Sequence, residues 1–257
     1  MGTIHQRLIG SHVMLLVLDN PPVNALGFEM REQLRDILST VEKDTSVRAL
    51  VLTGKGKAFC GGDDLKEQQA TNNSPSAARA EQLDEFEELF NRVEALRVPV
   101  ICAINGWCLG GGLEVALCCD IRIASTEARF TCAEVNVGLV ASAYRLPRLI
   151  GMAHARHMLL TGTRYDAATA EKFGLVTAVY KPDHLEQEAL ALGEVIASRA
   201  PLAIEATKQI ARQAFDLEAS EAASLIKAQV LTLAQSDDHK NALVAFREKR
   251  EPCFFRR

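Results

Sequence analysis

Two glycine-rich stretches carry the residues of this sequence best placed to do chemistry: Gly61-Gly62 in KAFCGGDDLKE and Gly110-Gly111-Gly112 in NGWCLGGGLEVALCCDI. Each stands where apolar, strand-like text gives way to a helix-like run. Glycine has no Cβ, so a ligand can approach its backbone closely, and the first N–H groups of a following helix have no partner inside that helix. Such N–H groups attract negative charge. One from each turn, converging on a single point, would form an oxyanion hole, in which each donor lowers a barrier by about 2.7–4 kcal/mol. The same glycines would also serve tight packing, and the residues alone leave both readings open. Neither stretch is a nucleotide motif: the triplet lacks the Gly-Lys-Ser/Thr ending of a P-loop, and Gly106, Gly110, Gly111 and Gly112 are not spaced as GxGxxG.

Two acids accompany the glycines. Glu114 follows the triplet and Glu134 lies in FTCAEVNVG. A carboxyl pair can take a proton from water and deliver one to carbon. An acid in the first turn of a helix also partners the exposed amides there, so spacing alone does not separate a catalytic Glu114 from a capping one. His154 and His157 share HARH, but no cysteine or carboxylate stands near them at metal-ligand spacing, and no metal site is expected.

These groups need strands that stop and helices that start. VMLLVLD (Val13 to Asp19) reads as a strand ended by Asn20-Pro21-Pro22. A helix is predicted from Glu29 to Glu42, with Met30, Leu34, Ile37, Leu38 and Val41 on one face. VRALVLTG (Val47 to Gly54) and VPVICAI (Val98 to Ile104) read as further strands, Ala80 to Leu96 as an amphipathic helix, and the polar Glu67 to Ala80 as a mobile surface loop. Alternating strands and helices predict an α/β domain with its functional residues in strand-to-helix loops. From His184 to Phe246 the text is helical, with Pro201 at a first helical position.

The 257 residues, 48% hydrophobic, suffice for one large core. A net charge of −4 gives no field for polyanions, so neither nucleic-acid nor membrane binding is expected. Seven cysteines without a CxxC pair suit reduced thiols. The start, MGTIHQRLIG, lacks a basic region followed by an apolar one, no apolar run is long enough to span a bilayer, and FFRR is no peroxisomal signal. A cytoplasmic protein is the expectation.

NGWCLGGGLEVALCCDIRIAS and AFCGGDDLKE together resemble the enoyl-CoA hydratase/isomerase (crotonase) superfamily. NPPVNALG, LPRLIG, TGTRYDAATAEKFGLVTAVY and FREKREPCF fit it in the same order, over nearly the whole chain. The resemblance implies a crotonase-like spiral of ββα turns over residues 1–195. A C-terminal helical region, 196–257, would build a homotrimer or a dimer of trimers. It also implies an acyl-CoA substrate and no cofactor apart from the coenzyme A that the substrate carries. The oxyanion-hole amides would be those of Asp63 and Gly111, and the catalytic acids Glu114 and Glu134. Ala25, Leu26, Ala58, Cys60, Gly61, Gly62, Asp64, Leu65, Lys66 and Gly110 would bind substrate. Phe246 and Lys249 would approach the CoA of a neighbouring subunit.

Members that only shift a double bond commonly manage with the equivalent of Glu134 alone, so Glu114 favours hydration of a 2-enoyl-CoA. The alternatives are a Δ3-Δ2 enoyl-CoA isomerase or specialised dehydratase, and a non-catalytic acyl-CoA-binding oligomer. They arise because VGLVASAYRLPRLIG (Val137 to Gly151) is three residues shorter than the usual loop and lacks its Pro-Gly-Gly; that loop in the family helps position water. Asp63 and Trp107 also replace smaller residues, and for Trp107 core packing is expected over substrate contact.

Overall fold

The structure, a computed structural model, describes residues 2–64, 67 and 76–257. Its main sheet has six strands in the order β1(Thr3–Ile9), β2(Val13–Asp19), β3(Ala49–Gly54), β5(Val100–Ile104), β7(Ile121–Ser125), β10(Val179–Tyr180). β1 runs antiparallel to β2, and the other neighbours are parallel. Strands buried on both faces read as unbroken apolar text, and β2 shows how the two-residue period divides it. Leu16 and Leu18 enter one core with Met30, Leu34 and Leu38 of helix α1(Phe28–Lys43), while Val13 and Leu15 enter another with Leu185 and Ala189 of helix α6(Pro182–Ala197).

The second sheet positions the candidate site. It contains β4(Ala58–Cys60), β6(Trp107–Leu109), β8(Arg129–Thr131) and β9(Tyr165–Asp166). The first three are parallel neighbours, pairing Cys60 with Cys108 and Leu109 with Thr131. Parallel strands in register end at the same edge, so the segments that follow them leave side by side. Those segments are Gly61-Gly62-Asp63, Gly110 with helix α3(Gly111–Cys118), and a 3-10 turn at Ala133–Val137 that holds Glu134.

Helix α2 spans Ser76–Ala95, so it begins four residues before the predicted Ala80; the rest of the expected loop, apart from Glu67, lies outside the described residues. Strand β1 shows no apolar run in the sequence because Thr3, His5, Gln6 and Arg7 are exposed on an edge and only Ile4 is core. Helices α4(Arg145–Thr161) and α5(Ala167–Phe173) lead to β10. Three more, α7(Pro201–Arg212), α8(Ala219–Leu233) and α9(Asp237–Glu248), finish the chain, and the terminal tail folds back to donate the Phe255 and Arg256 N–H groups to the buried Asp238 carboxylate. Among the described residues no helix is long and apolar enough to cross a membrane.

Candidate active site

The two glycine turns touch. Gly62 adopts φ +87°, and a methyl group on it would lie 2.7 Å from the Gly111 nitrogen. A Cβ on Gly111 would in turn lie 3.3 Å from Gly62 Cα and 3.5 Å from the Asp63 nitrogen. The backbone amides of positions 63 and 111 are thus brought to one place. The Gly62 carbonyl accepts from Leu26 N–H at 2.7 Å, Gly61 N–H donates to the Val23 carbonyl at 2.7 Å, and Gly110 N–H donates to the Thr131 carbonyl at 3.2 Å. Gly111 opens helix α3, so its N–H has no partner within that helix. Gly112 serves packing instead, since a Cβ there would lie 2.1 Å from the Cys60 carbonyl oxygen and only glycine lets α3 pack against β4.

Glu134 reaches this place, and Glu114, in the first turn of α3, is close enough for its charge to act on Glu134. Glu114 is 6% exposed; its Oε2 accepts from Arg145 Nη1 at 3.3 Å, and its Oε1 is buried without a hydrogen-bond partner among the described residues. Glu134 is half-buried, its Oε1 would lie 3.1 Å from a Cβ on Gly110, and its Oε2 is also buried without a partner among the described residues. Burial pushes the Glu134 carboxyl above its ordinary range, against the pull of its own backbone N–H, and the charges of Glu114 and Asp63 push it further up. Unlike environments for two neighbouring carboxyls are the usual means of making one an acid and the other a base.

Arg145, which no motif singles out, secures Glu114. It opens α4 and spans to α2, donating also to Glu87 and Asn91 at 3.0 Å, with Glu94 at 3.6 Å. Its only sequence signal is its place in YRLPRLIG, which acquires meaning once α3 and α4 are known to pack. Arg145→Gln leaves Glu114 buried beside Glu134 without a countercharge, with an expected loss of about 3–5 kcal/mol measured by urea unfolding. The Arg145→Gln/Glu114→Gln double variant should recover most of that loss.

The other expected site residues divide into four groups. Leu26, Ala58 and Cys60 are fully buried supports of the glycine turns rather than an open surface, and burial raises the Cys60 thiol to about 12. Gly61, Gly110 and Asp64 lie at the turns, with Asp64 Oδ2 facing Gly27, and Ala25 beside them accepts from Asn20 Nδ2 at 2.7 Å. Leu65 and Lys66 fall outside the described residues. Phe246 and Lys249 stand on or just after α9, Phe246 being 84% exposed, and neither is among the nearest described neighbours of the glycine turns. His154 stacks on Phe173 and His157 Nδ1 meets the Tyr165 hydroxyl at 2.7 Å, which accounts for both rings. Trp107 is half-buried under the Arg164 guanidinium.

The two-sheet α/β fold is that of crotonase-type enoyl-CoA hydratases. The profile of the enoyl-CoA hydratase/isomerase family matches residues 9–257, and the chain belongs to that family. It is 37% identical to (E)-benzylidenesuccinyl-CoA hydratase of Thauera aromatica, covering 96% of each chain. It is 33% identical to short-chain-enoyl-CoA hydratase of Clostridium acetobutylicum, over 93% of this chain and 92% of that one. The crystal structure of an enoyl-CoA hydratase from Bacillus anthracis superposes with a TM-score of 0.94 at 32% identity, covering 99% of each chain.

Proposed function

We propose that this protein is an enoyl-CoA hydratase that adds water reversibly across the double bond of a 2-enoyl-CoA to give a 3-hydroxyacyl-CoA. The observation that carries this reading is the pair of buried carboxylate oxygens without partners among the described residues, Glu114 Oε1 on the helix that Gly111 opens and Glu134 Oε2 on the side chain over Gly110, together with the apposed amides of Asp63 and Gly111. The thioester oxygen accepts from both amides as negative charge gathers on it. Glu114, held by Arg145, takes a proton from water as the water oxygen bonds to Cβ, and Glu134, whose environment favours its protonated form, gives its proton to Cα. Proton exchange between the two carboxyls then resets the site. One proton passes from water to Glu114 and one from Glu134 to Cα, with no net oxidation or reduction, so the carboxyls suffice without a metal or redox cofactor.

A homotrimer or dimer of trimers fits the helical end: α8 has no buried residue, and Ile226, Val230, Leu231, Leu243 and Phe246 are all exposed. In such an assembly Phe246 and Lys249 would meet a neighbour's CoA. Seven free cysteines, six of them buried, suit a reducing compartment such as the cytoplasm.

The test is loss of conjugated-thioester absorbance with crotonyl-CoA and longer 2-enoyl-CoAs. Wild type is expected to hydrate the short substrate, and Glu114→Gln to be about 10²- to 10⁴-fold slower. Isomerisation of a 3-enoyl-CoA that survives Glu114→Gln without hydration would make the protein an isomerase, and CoA-ester binding without turnover would make it a binding protein.

A further inference from the structure

The segment that links Glu134 to Arg145 is short and mostly exposed. It leaves the 3-10 turn at Gly138, where Leu139 N–H donates to the Glu134 carbonyl at 2.9 Å, and it ends at Arg145, the partner of Glu114. Leu139, Val140 and Tyr144 are 43%, 84% and 63% exposed, whereas Ser142 in their midst is only 5% exposed. Its hydroxyl oxygen is buried with no hydrogen-bond partner among the described residues. Its backbone sits at φ 58°, a left-handed conformation that glycine or asparagine takes more readily. Serine is a poor choice there for stability on two counts: the backbone favours glycine, and burying a hydroxyl without a partner is unfavourable.

We propose that the Ser142 hydroxyl holds the attacking water, replacing the longer loop that this chain lacks. The inference rests on the hydratase reading above. Water has two hydrogens to place before its lone pair can be aimed at Cβ. Glu114 Oε1 accepts one, and the Ser142 hydroxyl oxygen, on the segment that runs from Glu134 to the Glu114 partner Arg145, accepts the other. Glu134 is then left to serve Cα. Three buried polar atoms without partners among the described residues, Glu114 Oε1, Glu134 Oε2 and Ser142 Oγ, thereby acquire them in the reacting complex.

Hydration of crotonyl-CoA by wild type, Ser142→Ala and Ser142→Gly tests this, together with thermal unfolding and Cα-proton exchange of butyryl-CoA in deuterated water. That exchange needs Glu134 and the two amides but no water at Cβ. Loss of a water-positioning contact should lower kcat for hydration about 10- to 100-fold. KM and Cα exchange should move by no more than about twofold. Neither variant should melt below wild type, since both discard an unsatisfied hydroxyl and Gly relaxes the backbone. Hydration by Ser142→Ala at the wild-type rate overturns the role of Ser142 and leaves the hydratase reading intact. Parallel losses of stability, exchange and hydration in both variants assign the residue to packing and also overturn it. A wild type that hydrates nothing removes both readings.

Discussion

Glu134→Gln is expected to lower kcat for hydration by about 10³- to 10⁴-fold, the upper part of the range for a lost proton-transfer group, and to make the protein more stable at pH 8. The first effect follows from geometry: glutamine fills the same space over Gly110 but carries no transferable proton for Cα. The second follows from linkage. Burial, then Glu114 and Asp63, raise the folded-state carboxyl above its ordinary value of 4.5, so ionising it opposes folding. The contribution of Glu134 is intact below that ordinary value and is lost as pH rises through the raised one. Glutamine cannot ionise, so the variant escapes the loss. Its melting temperature should exceed wild type by roughly 2–4 °C for each kcal/mol at pH 8, and the gap should close toward pH 4.5. Melting curves at both pH values, run beside kcat, check the pair of effects. A variant that is slower but no more stable at pH 8 would show that the carboxyl is not pushed upward.

Gly62→Ala carries the next largest effect. The new methyl would stand 2.7 Å from the Gly111 nitrogen, and its own residue would be held at φ +87°, where a Cβ is strained. Since the neighbour is backbone, relief requires the two turns to separate. Parting the amides should cost about 10²- to 10³-fold in kcat, as the loss of one oxyanion donor does elsewhere, and strain of this kind costs about 1–3 kcal/mol of stability. Circular dichroism at the assay temperature shows whether the variant is folded. A folded Gly62→Ala enzyme with wild-type kcat would mean that the amides do not act together.

The glycines show how far residue patterns reach. Packing and charge binding are both open readings of the residues alone, and the structure divides them by position: Gly112 packs on the Cys60 carbonyl, while Gly62 and Gly111 bring two backbones together. Glu114 and Glu134 are legible as candidates through the family motif, but not their inequality, which comes from Arg145 on one and burial on the other. Arg145 and Ser142 are invisible in the sequence because they act across a segment whose course depends on where α3 and β8 end. Strands β2, β3 and β5 are readable from their continuous apolar runs, a consequence of burial on both faces. The three-residue strands of the second sheet are not, being too short to show any period.

In the proposed mechanism the amides of Asp63 and Gly111 together polarise one thioester carbonyl, and every proton transfer depends on that polarisation. Infrared difference spectra of enzyme-bound butyryl-CoA, with and without ¹³C at the carbonyl, report on that bond directly. The stretch should fall below its solution frequency in wild type and return toward it in Gly62→Ala. A bound thioester in wild type that absorbs at its solution frequency would contradict the mechanism.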